Sequence, residues 1–254
     1  MSIVSEARSD KLARVTLGEA PVTPPFADGW GSAEVEEVAP GDDRVEAAFD
    51  EAMSPSVVVP NGGRLRIERT QALIAADIDS AGRRGAGSAA SRALQLNRDA
   101  SAELVRQIGL RKLGGLVVLD CVAPLNAGSR KTLQDFTRTR FAEAGFPTAT
   151  VLAPSQLGLM EISLPWRETP LSEIILDQSG TWSGESLCLA GLRHLERAAI
   201  RQPMDRLVLD LPTRALAWLD GAGAPLKSLM AERYGGRLSY AASTRDAPIV
   251  YQAT

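Results

Sequence analysis

The alternation of apolar and polar residues predicts three strands in the middle of the chain. Residues 64–69 alternate polar and apolar side chains as a half-buried strand does, and residues 72–79 form the second strand of a hairpin. Residues 116–120 are an almost continuous apolar run, which is typical of a strand covered on both faces.

Helical periodicity separates these strands. Asn97 is predicted to cap a helix that runs to about Lys112, where two glycines end it. A second helix is predicted over 129–144, and a strand over 148–152 follows it. Residues 82–91 are rich in Gly, Ala and Ser and are predicted to form a mobile loop. The alternation of strands with helices favours an α/β organisation.

The two ends of the chain differ from this regular middle. Residues 1–61 hold a short strand, a proline-rich stretch and one acidic helix, and they look least like an independent domain. Residues 171–183 are polar and are predicted to be a linker to a second, small α/β domain over 184–254. The elements predicted near and within that domain are a helix over 183–201, a strand over 207–211, an interrupted helix over 212–234, and strands at 237–240 and 248–251 that pair with each other.

Composition and segment lengths exclude several classes of protein. Apolar residues make up 44% of the 254 residues and charged residues 23%, as in ordinary globular proteins. No apolar run approaches the roughly 20 residues that cross a bilayer, and the start resembles no secretion signal. Cys121 and Cys188 are too far apart in sequence to form a metal-binding knuckle, and they make no disulfide framework. We therefore expect a cytoplasmic protein without membrane association.

Charge is distributed unevenly along the chain. Residues 64–140 contain 14 Lys or Arg and 7 Asp or Glu, a balance of +7, whereas the remaining residues carry 14 basic and 24 acidic side chains, a balance of −10. A basic segment in an acidic protein indicates a confined site for a polyanion. The alternative is that these arginines only solubilise helix faces.

Three aspartates are the strongest candidates for chemistry. Asp77 and Asp79 are two positions apart on a predicted strand, so their side chains share one face. Asp120 ends another strand, where α/β sheets place their ligands. If the strands are neighbours, the three carboxylates converge and require a cation. Oxygen ligands without His or Cys favour Mg²⁺ or Mn²⁺ over zinc.

A simpler interpretation is that these aspartates cap helices or pair with Arg83, Arg84 or Arg130. Other catalytic patterns find little support. The one histidine, His194, is predicted to be a surface or packing residue, and no serine lies in a G-x-S-x-G elbow, which argues against a hydrolase triad. The turn at 61–63 lacks the Lys-Ser/Thr of a P-loop.

Three segments, in order, resemble the catalytic core of the ribonuclease E/G family. Residues 62–80 are similar to its Gly-Gly turn, hairpin and T-x-A-L element, which lead into an Asp-x-Asn metal motif. Residues 96–120 are similar to its helix, Leu-Gly-Gly stop and aspartate-ended strand, and residues 157–163 to its F-G-L-x-E-x-S/T element. Several ordered motifs at matching spacings are more specific than any one of them.

The resemblance implies a mixed α/β (α+β) fold with a DNase I-like catalytic core over 62–170. Residues 1–61 would be a remnant of the family's RNase H-like subdomain, too short for the OB-fold barrel and the 5′-phosphate sensor that precede the family's core. Residues 171–183 would replace the zinc link; they contain no cysteine, so no structural zinc is expected. Residues 184–254 are similar to the small domain that makes dimer contacts, which implies a homodimer not mediated by zinc.

The resemblance also assigns roles to residues. Asp77 and Asp120 match the two magnesium-binding aspartates, and Asp79 stands where the family usually has Asn. Its extra charge is expected to hold the metal directly or through water. The residues expected to face RNA phosphates are Arg83, Arg84, Arg111, Lys112 and Arg130.

The expected activity is Mg²⁺-dependent hydrolysis of single-stranded RNA by an endoribonuclease of this family. The alternative is a descendant without catalysis that acts as an RNA- or protein-binding adaptor, which would also explain the Asn-to-Asp change. A third hypothesis is a metal-dependent phosphoesterase with another substrate, such as DNA.

Overall fold

The structure, a computed structural model, describes residues 2–9, 11–16, 38–39, 42–82 and 87–253. It confirms a mixed α/β fold. The chain divides into two compact units: unit 1 comprises Met1–Glu34 and Asp50–Leu171, and unit 2 comprises Val35–Phe49 and Ser172–Thr254. The functional roles expected for the separate domains stay predictions.

Unit 1 is built around a six-stranded sheet and two long helices. The strands of the unit are β1 (Ser2–Ser5), β2 (Arg14–Thr16), β3 (Ser56–Val58), β4 (Arg64–Arg69), β5 (Ile74–Asp79), β6 (Gly115–Asp120), β7 (Thr150–Val151) and β8 (Leu159–Leu164). The large sheet has the order β3-β4-β5-β6-β8-β7, and β1 pairs separately with β2. Within the large sheet β5 and β6 are parallel, whereas the other neighbouring strands are antiparallel.

The helices of this region begin at clear side-chain caps or at a charged first turn. They are α1 (Asp43–Met53), which crosses from unit 2 into unit 1, α2 (Ala89–Leu110) and α3 (Ala127–Glu143). The Ser88 hydroxyl accepts a hydrogen bond from the Ser91 N–H at 3.2 Å and so starts α2. The predicted cap at Asn97 was therefore wrong, because Asn97 lies within the helix. The predicted loop was wrong from Ala89 onward, and residues 83–86 lie outside the described residues.

The core of unit 1 lies on one face of the large sheet. Alternate residues of the strands, such as Leu65, Ile74 and Leu119, pack with Leu104 of α2 and Phe141 of α3. Burial of each such side chain contributes roughly 2–3 kcal/mol. The positions that alternate with them on the other face are exposed, and they include Arg64, Arg66, Glu68, Asp77, Asp79, Leu116, Asp120, Leu159 and Glu161.

The prediction that β6 is covered on both faces was wrong. Val117 and Leu119 are buried, but Leu116 is 44% exposed. The apolar run misled because its outward-facing positions are also occupied by Leu and Val. This open face carries Asp77 and Asp120.

Unit 2 forms a smaller layer of helices on a three-stranded sheet. Its elements after α1 are α4 (Leu171–Ile175), which starts at the unit boundary, α5 (Gly184–Arg201), β9 (Leu207–Pro212), α6 (Thr213–Asp220), α7 (Ala224–Tyr234), β10 (Leu238–Ser243) and β11 (Ile249–Gln252). The predicted pairing of the last two strands with each other was wrong, because both flank β9: β10 is parallel to it and β11 antiparallel. Leu195, Leu207 and Leu209 are fully or nearly fully buried in this core. Dimer contacts through this unit stay a prediction.

The predicted linker is more ordered than its polar composition indicated. After α4, the Asp177 carboxylate accepts hydrogen bonds from the N–H groups of Ser179 and Thr181, at 2.8 and 3.3 Å. An isolated bridge between Leu176 and Trp182 closes this turn. Side-chain hydrogen bonds to the backbone thus fix the segment without any cysteine.

The acidic start of α1 is held by basic residues of α5 within unit 2. Arg193 donates a hydrogen bond to the Glu46 carboxylate, and His194 Nε2 lies 3.5 Å from the same group. Arg197 and Arg201 reach Asp43 at 3.0 and 3.2 Å. Among the described helices, none is long and apolar enough to span a membrane.

Replacing Glu46 with Gln is expected to destabilise unit 2 near neutral pH but not at low pH. Burial acts to raise the pKa of Glu46, but the hydrogen bond and charge of Arg193, with His194 and Arg197, outweigh it and bring the pKa below its ordinary 4.5. A lowered pKa stabilises the fold above the unfolded value, and that stabilisation is lost as pH falls through the folded value. Urea unfolding of both proteins at several pH values measures this, and a difference that does not shrink in acid would contradict it.

Candidate active site at the carboxyl ends of β5 and β6

Asp77 and Asp120 are neighbours across the parallel pair β5–β6. The register places Asp77 directly beside Asp120, and both side chains lie on the open face. Adjacent strands are about 4.8 Å apart. Two carboxylates at that spacing can share one divalent ion, since Mg²⁺ binds oxygen at about 2.1 Å.

Neither carboxylate is neutralised by a neighbour among the described residues: no hydrogen bond or ion pair is made by Asp77 or Asp120 there. Arg66 of β4 is the register partner of Asp77 on its other side, but its Nε donates to Glu68 at 2.6 Å. Two such charges at about 4 Å repel each other by roughly 4 kcal/mol at an effective dielectric constant of 20. The pair is therefore suited to a cation.

Contrary to the prediction, Asp79 does not join this pair. It lies two residues further along β5, in register with Arg64, and its Oδ1 accepts a hydrogen bond from the Ala81 N–H at 2.8 Å. That bond supports the tight turn in which Ala81 has a φ of 47°. Within the described part of the chain, no three His, Cys, Asp or Glu side chains are grouped to hold a metal. The predicted convergence of three carboxylates was therefore wrong, and a site here would rest on two.

The chain after Asp120 is held from two sides. The Cys121 N–H donates to the Gly158 carbonyl at 3.1 Å. Gly158 has a φ of +91°, and a Cβ there would lie 3.1 Å from the Cys121 carbonyl oxygen and 3.9 Å from Asp120 Oδ1. Only glycine accepts this conformation and this close approach without strain. On the other side, the buried Asn97 bonds to Val122.

Cys121 does not supply reactive sulfur to the site. Burial, followed by the nearby Asp120 charge, raises the pKa of Cys121 to about 12. The thiol packs in the core of unit 1 and is protonated at neutral pH, so it does not act as a nucleophile.

Of the predicted phosphate contacts that the structure describes, Arg130 is the one that follows β6 in the chain. It lies in the first turn of α3, the helix that follows β6, and it is half-buried without an ion pair among the described residues. Arg83 and Arg84 lie outside the described residues.

Arg111 and Lys112 lie before the amino-terminal end of β6, whereas Asp120 lies at its carboxyl end, so their assignment to this site was wrong. Five residue steps along β6 separate its two ends, on the order of 17 Å. Arg111 is 8% exposed and donates to Gln107 at 2.8 Å. Lys112 Nζ lies 3.7 Å from Glu168. Burial lowers the pKa of Arg111, although the charge of Glu103 counteracts it.

Sequence reasoning missed two neighbouring residues of α2. Arg98 stacks on the Phe136 ring with its guanidinium carbon 4.6 Å from the ring centre, and it has no ion pair among the described residues. Asn97 precedes it in α2. The signal that could have found Asn97 is a polar residue on the apolar face of the helix, next to Leu96 and one turn before Ala100.

A family model and individual known proteins all match this chain to the ribonuclease E/G family. The model of the ribonuclease E/G family matches residues 37–165, which include Asp77 and Asp120. Ribonuclease E of Haemophilus influenzae is 30% identical over 186 residues, 69% of this chain and 20% of that protein. Ribonuclease E of Escherichia coli is 29% identical over 185 residues, covering 69% and 17%. The chloroplastic ribonuclease E/G-like protein of Arabidopsis thaliana is 30% identical over 121 residues, covering 47% and 12%. The chain thus spans at most about a fifth of the length of these relatives.

Proposed function

Because the chain belongs to the ribonuclease E/G family, we propose that it cleaves single-stranded RNA by Mg²⁺-assisted hydrolysis of a phosphodiester bond. The observation that carries this proposal is the register of β5 and β6, which sets Asp77 beside Asp120 on an open face. No described arginine occupies the pair, so both carboxylates are available to a cation.

The donor set fits magnesium better than zinc. Two carboxylates are hard oxygen ligands, and Mg²⁺ is commonly held by one or two carboxylates with water completing its shell. Near the pair, Cys121 is buried in the core of unit 1. When bound, Mg²⁺ would acidify a coordinated water and offset charge on the phosphate.

The side chains of the protein would orient the substrate around that ion. Asp77 and Asp120 would hold the ion, and Asp79 would orient a water bound to it, because only its Oδ1 is used by the Ala81 turn. Arg130, in the first turn of the helix that follows β6, would contact a phosphate, and Arg98, Arg83 and Arg84 stay candidates for the same role.

Arg130→Ala is expected to weaken RNA binding without lowering stability. Loss of one phosphate contact reduces the slope of log affinity against log salt by about one unit. Lys131→Ala is the matched control, because Lys131 is already paired with Asp135 at 3.1 Å. Fluorescence anisotropy with labelled single-stranded RNA at several salt concentrations measures both. Equal effects of the two substitutions would contradict a specific role for Arg130.

The direct test of the proposed function is incubation of the purified protein with labelled single-stranded RNA in Mg²⁺ or in EDTA. Cleavage that requires Mg²⁺ supports the proposal. Preferential cleavage of a matched DNA strand would replace it with another metal-dependent phosphoesterase.

An adaptor without catalysis is the second candidate, and Asp79 favours it. The family usually has Asn at that position, and a carboxylate adds negative charge where a phosphate would approach. A gel shift with RNA in Mg²⁺, with no products after prolonged incubation, would support the adaptor and exclude the nuclease.

A further inference from the structure

Asn97 is a fully buried side chain in the interior of α2 that bonds to the chain just beyond Asp120. Its Nδ2 donates to the Val122 carbonyl oxygen at 2.8 Å, and the Val122 N–H donates to its Oδ1 at 2.9 Å. The two bonds fix the orientation of the amide, because a backbone residue offers one donor and one acceptor. They join residues 25 positions apart in the sequence.

An asparagine in the middle of a helix needs a specific reason, because Asn is a poorer helix former than Leu or Ala. The neighbouring buried positions of the same helix are Leu96 and Ala100. Both polar groups of the Asn97 amide are hydrogen-bonded, so its burial carries little penalty. What Asn97 adds is a defined path for the backbone at Val122, since an apolar side chain cannot bond to it.

The position of the backbone at Val122 affects the position of Asp120 in the carboxylate pair. Val122 is two residues after Asp120, and the residue between them, Cys121, is held by the Gly158 carbonyl. Hydrogen bonds thus hold both residues that follow β6: Cys121 is bonded to Gly158, and Val122 is bonded to Asn97. These bonds oppose a displacement of the end of β6 from β5. Asp120 therefore keeps its register beside Asp77.

We infer that Asn97 is a positioning residue that fixes Asp120 for metal binding, an inference that rests on the proposed function. Asn97 does not touch the ion or the RNA. It holds the peptide of Val122, and through it the angle at which Asp120 faces Asp77.

The test is the affinity for Mn²⁺, measured on the metal-free full chain by electron paramagnetic resonance, together with the Mg²⁺ concentration that gives half-maximal cleavage. Asn97→Ala is expected to weaken Mn²⁺ binding and to raise the half-saturating Mg²⁺ concentration by about 10- to 100-fold, the usual effect of losing a group that orients a ligand. Cleavage at saturating Mg²⁺ should recover much of the parent rate.

The matched control is Gln107→Leu, which also removes a buried hydrogen-bonding side chain from α2, but at the other end of the sheet. It is expected to lower stability and to leave both metal measurements at the parent values. A merely structural role for Asn97 predicts the same result for Asn97→Ala. If that variant does not fold, Asn97→Gln, which keeps both polar groups but displaces them, carries the test with a smaller shift in the same direction.

The outcomes separate this inference from the proposed function. Folded Asn97 variants with parent Mn²⁺ affinity and parent Mg²⁺ dependence would overturn the positioning role while leaving the nuclease intact. If Asp77→Asn does not weaken Mn²⁺ binding, the metal site itself is absent and the proposed function fails first.

Discussion

Replacing Asp77 or Asp120 with Asn is expected to reduce RNA cleavage by on the order of a thousand-fold. The two carboxylates are register partners on an open face, so each substitution removes half of the charge that faces the proposed ion. Metal-ion stabilisation of a transition state contributes several kcal/mol, and about 4 kcal/mol corresponds to that factor. Single-turnover cleavage at saturating protein measures the rate of the chemical step.

RNA affinity should respond in the opposite way. Each substitution removes a negative charge near the phosphates, so affinity measured in EDTA should stay the same or increase. The double variant should cut little more slowly than either single one, because both side chains act on the same ion. Glu161→Gln is the matched control: Glu161 is an exposed carboxylate on the same face of the sheet, in register with Val118 rather than with Asp120. A folded Asp77→Asn protein that cuts at the parent rate would exclude this mechanism.

The pairing of Asp77 with Asp120 shows what local sequence can and cannot predict. Alternation along the strand correctly put Asp77 and Asp79 on one face. The parallel pairing of β5 with β6, across 43 positions of chain, is a tertiary contact that no local period reports. The residue pattern raised the pairing of these strands only as a condition, and the family resemblance implied that Asp77 and Asp120 are the two magnesium-binding aspartates. It did not indicate that Asp79 would be used by its own turn.

The predicted start of α2 was wrong because of the composition of the residues before it. Residues 87–91 contain Gly, Ser and Ala, which resemble a loop, but Ala is the best helix former and Ser88 is a good cap. Moving the helix start from 97 to 89 turns Asn97 from an exposed cap into a buried residue. Its hydrogen-bond partner, Val122, is 25 positions away in the sequence, so the residues around the helix end do not indicate this contact.

The net charge of a segment did not indicate which of its basic residues are available to bind a phosphate. The +7 balance of residues 64–140 indicated a polyanion site, but much of it is used locally. The paired residues are Arg66–Glu68, Arg106–Glu103, Lys131–Asp135, Arg138–Asp135 and Arg140–Glu143. Exposed pairs of this kind contribute little to stability. Among the described residues of this segment, those without such an ion pair include Arg98 and Arg130 but also Arg64 and Arg92. The contacts of each side chain, not the net charge, therefore indicate which ones are available to a phosphate.

Replacing Arg111 with Met is expected to lower the free energy of unfolding by about 3 kcal/mol and to leave RNA affinity unchanged. Arg111 is buried at the end of α2 and donates to Gln107, which donates at 2.9 Å to the buried Glu103 carboxylate. Hydrogen bonds to charged groups contribute about 1.5–3 kcal/mol, and removal of the guanidinium also takes one positive charge away from Glu103, which keeps its ion pair with Arg106.

The pH dependence of this loss has a definite sign. Burial raises the pKa of Glu103, partly offset by Gln107 and Arg111, so the folded state disfavours its ionised form. Without Arg111 that penalty increases, and a raised carboxylate pKa costs stability as pH rises above the unfolded value. Urea unfolding should therefore show a larger difference from the parent near neutral pH than near pH 4. Arg130→Met is the control, with weaker RNA binding and unchanged stability. The opposite assignment, in which Arg111→Met reduces RNA affinity at parent stability, would return Arg111 to the RNA-binding surface.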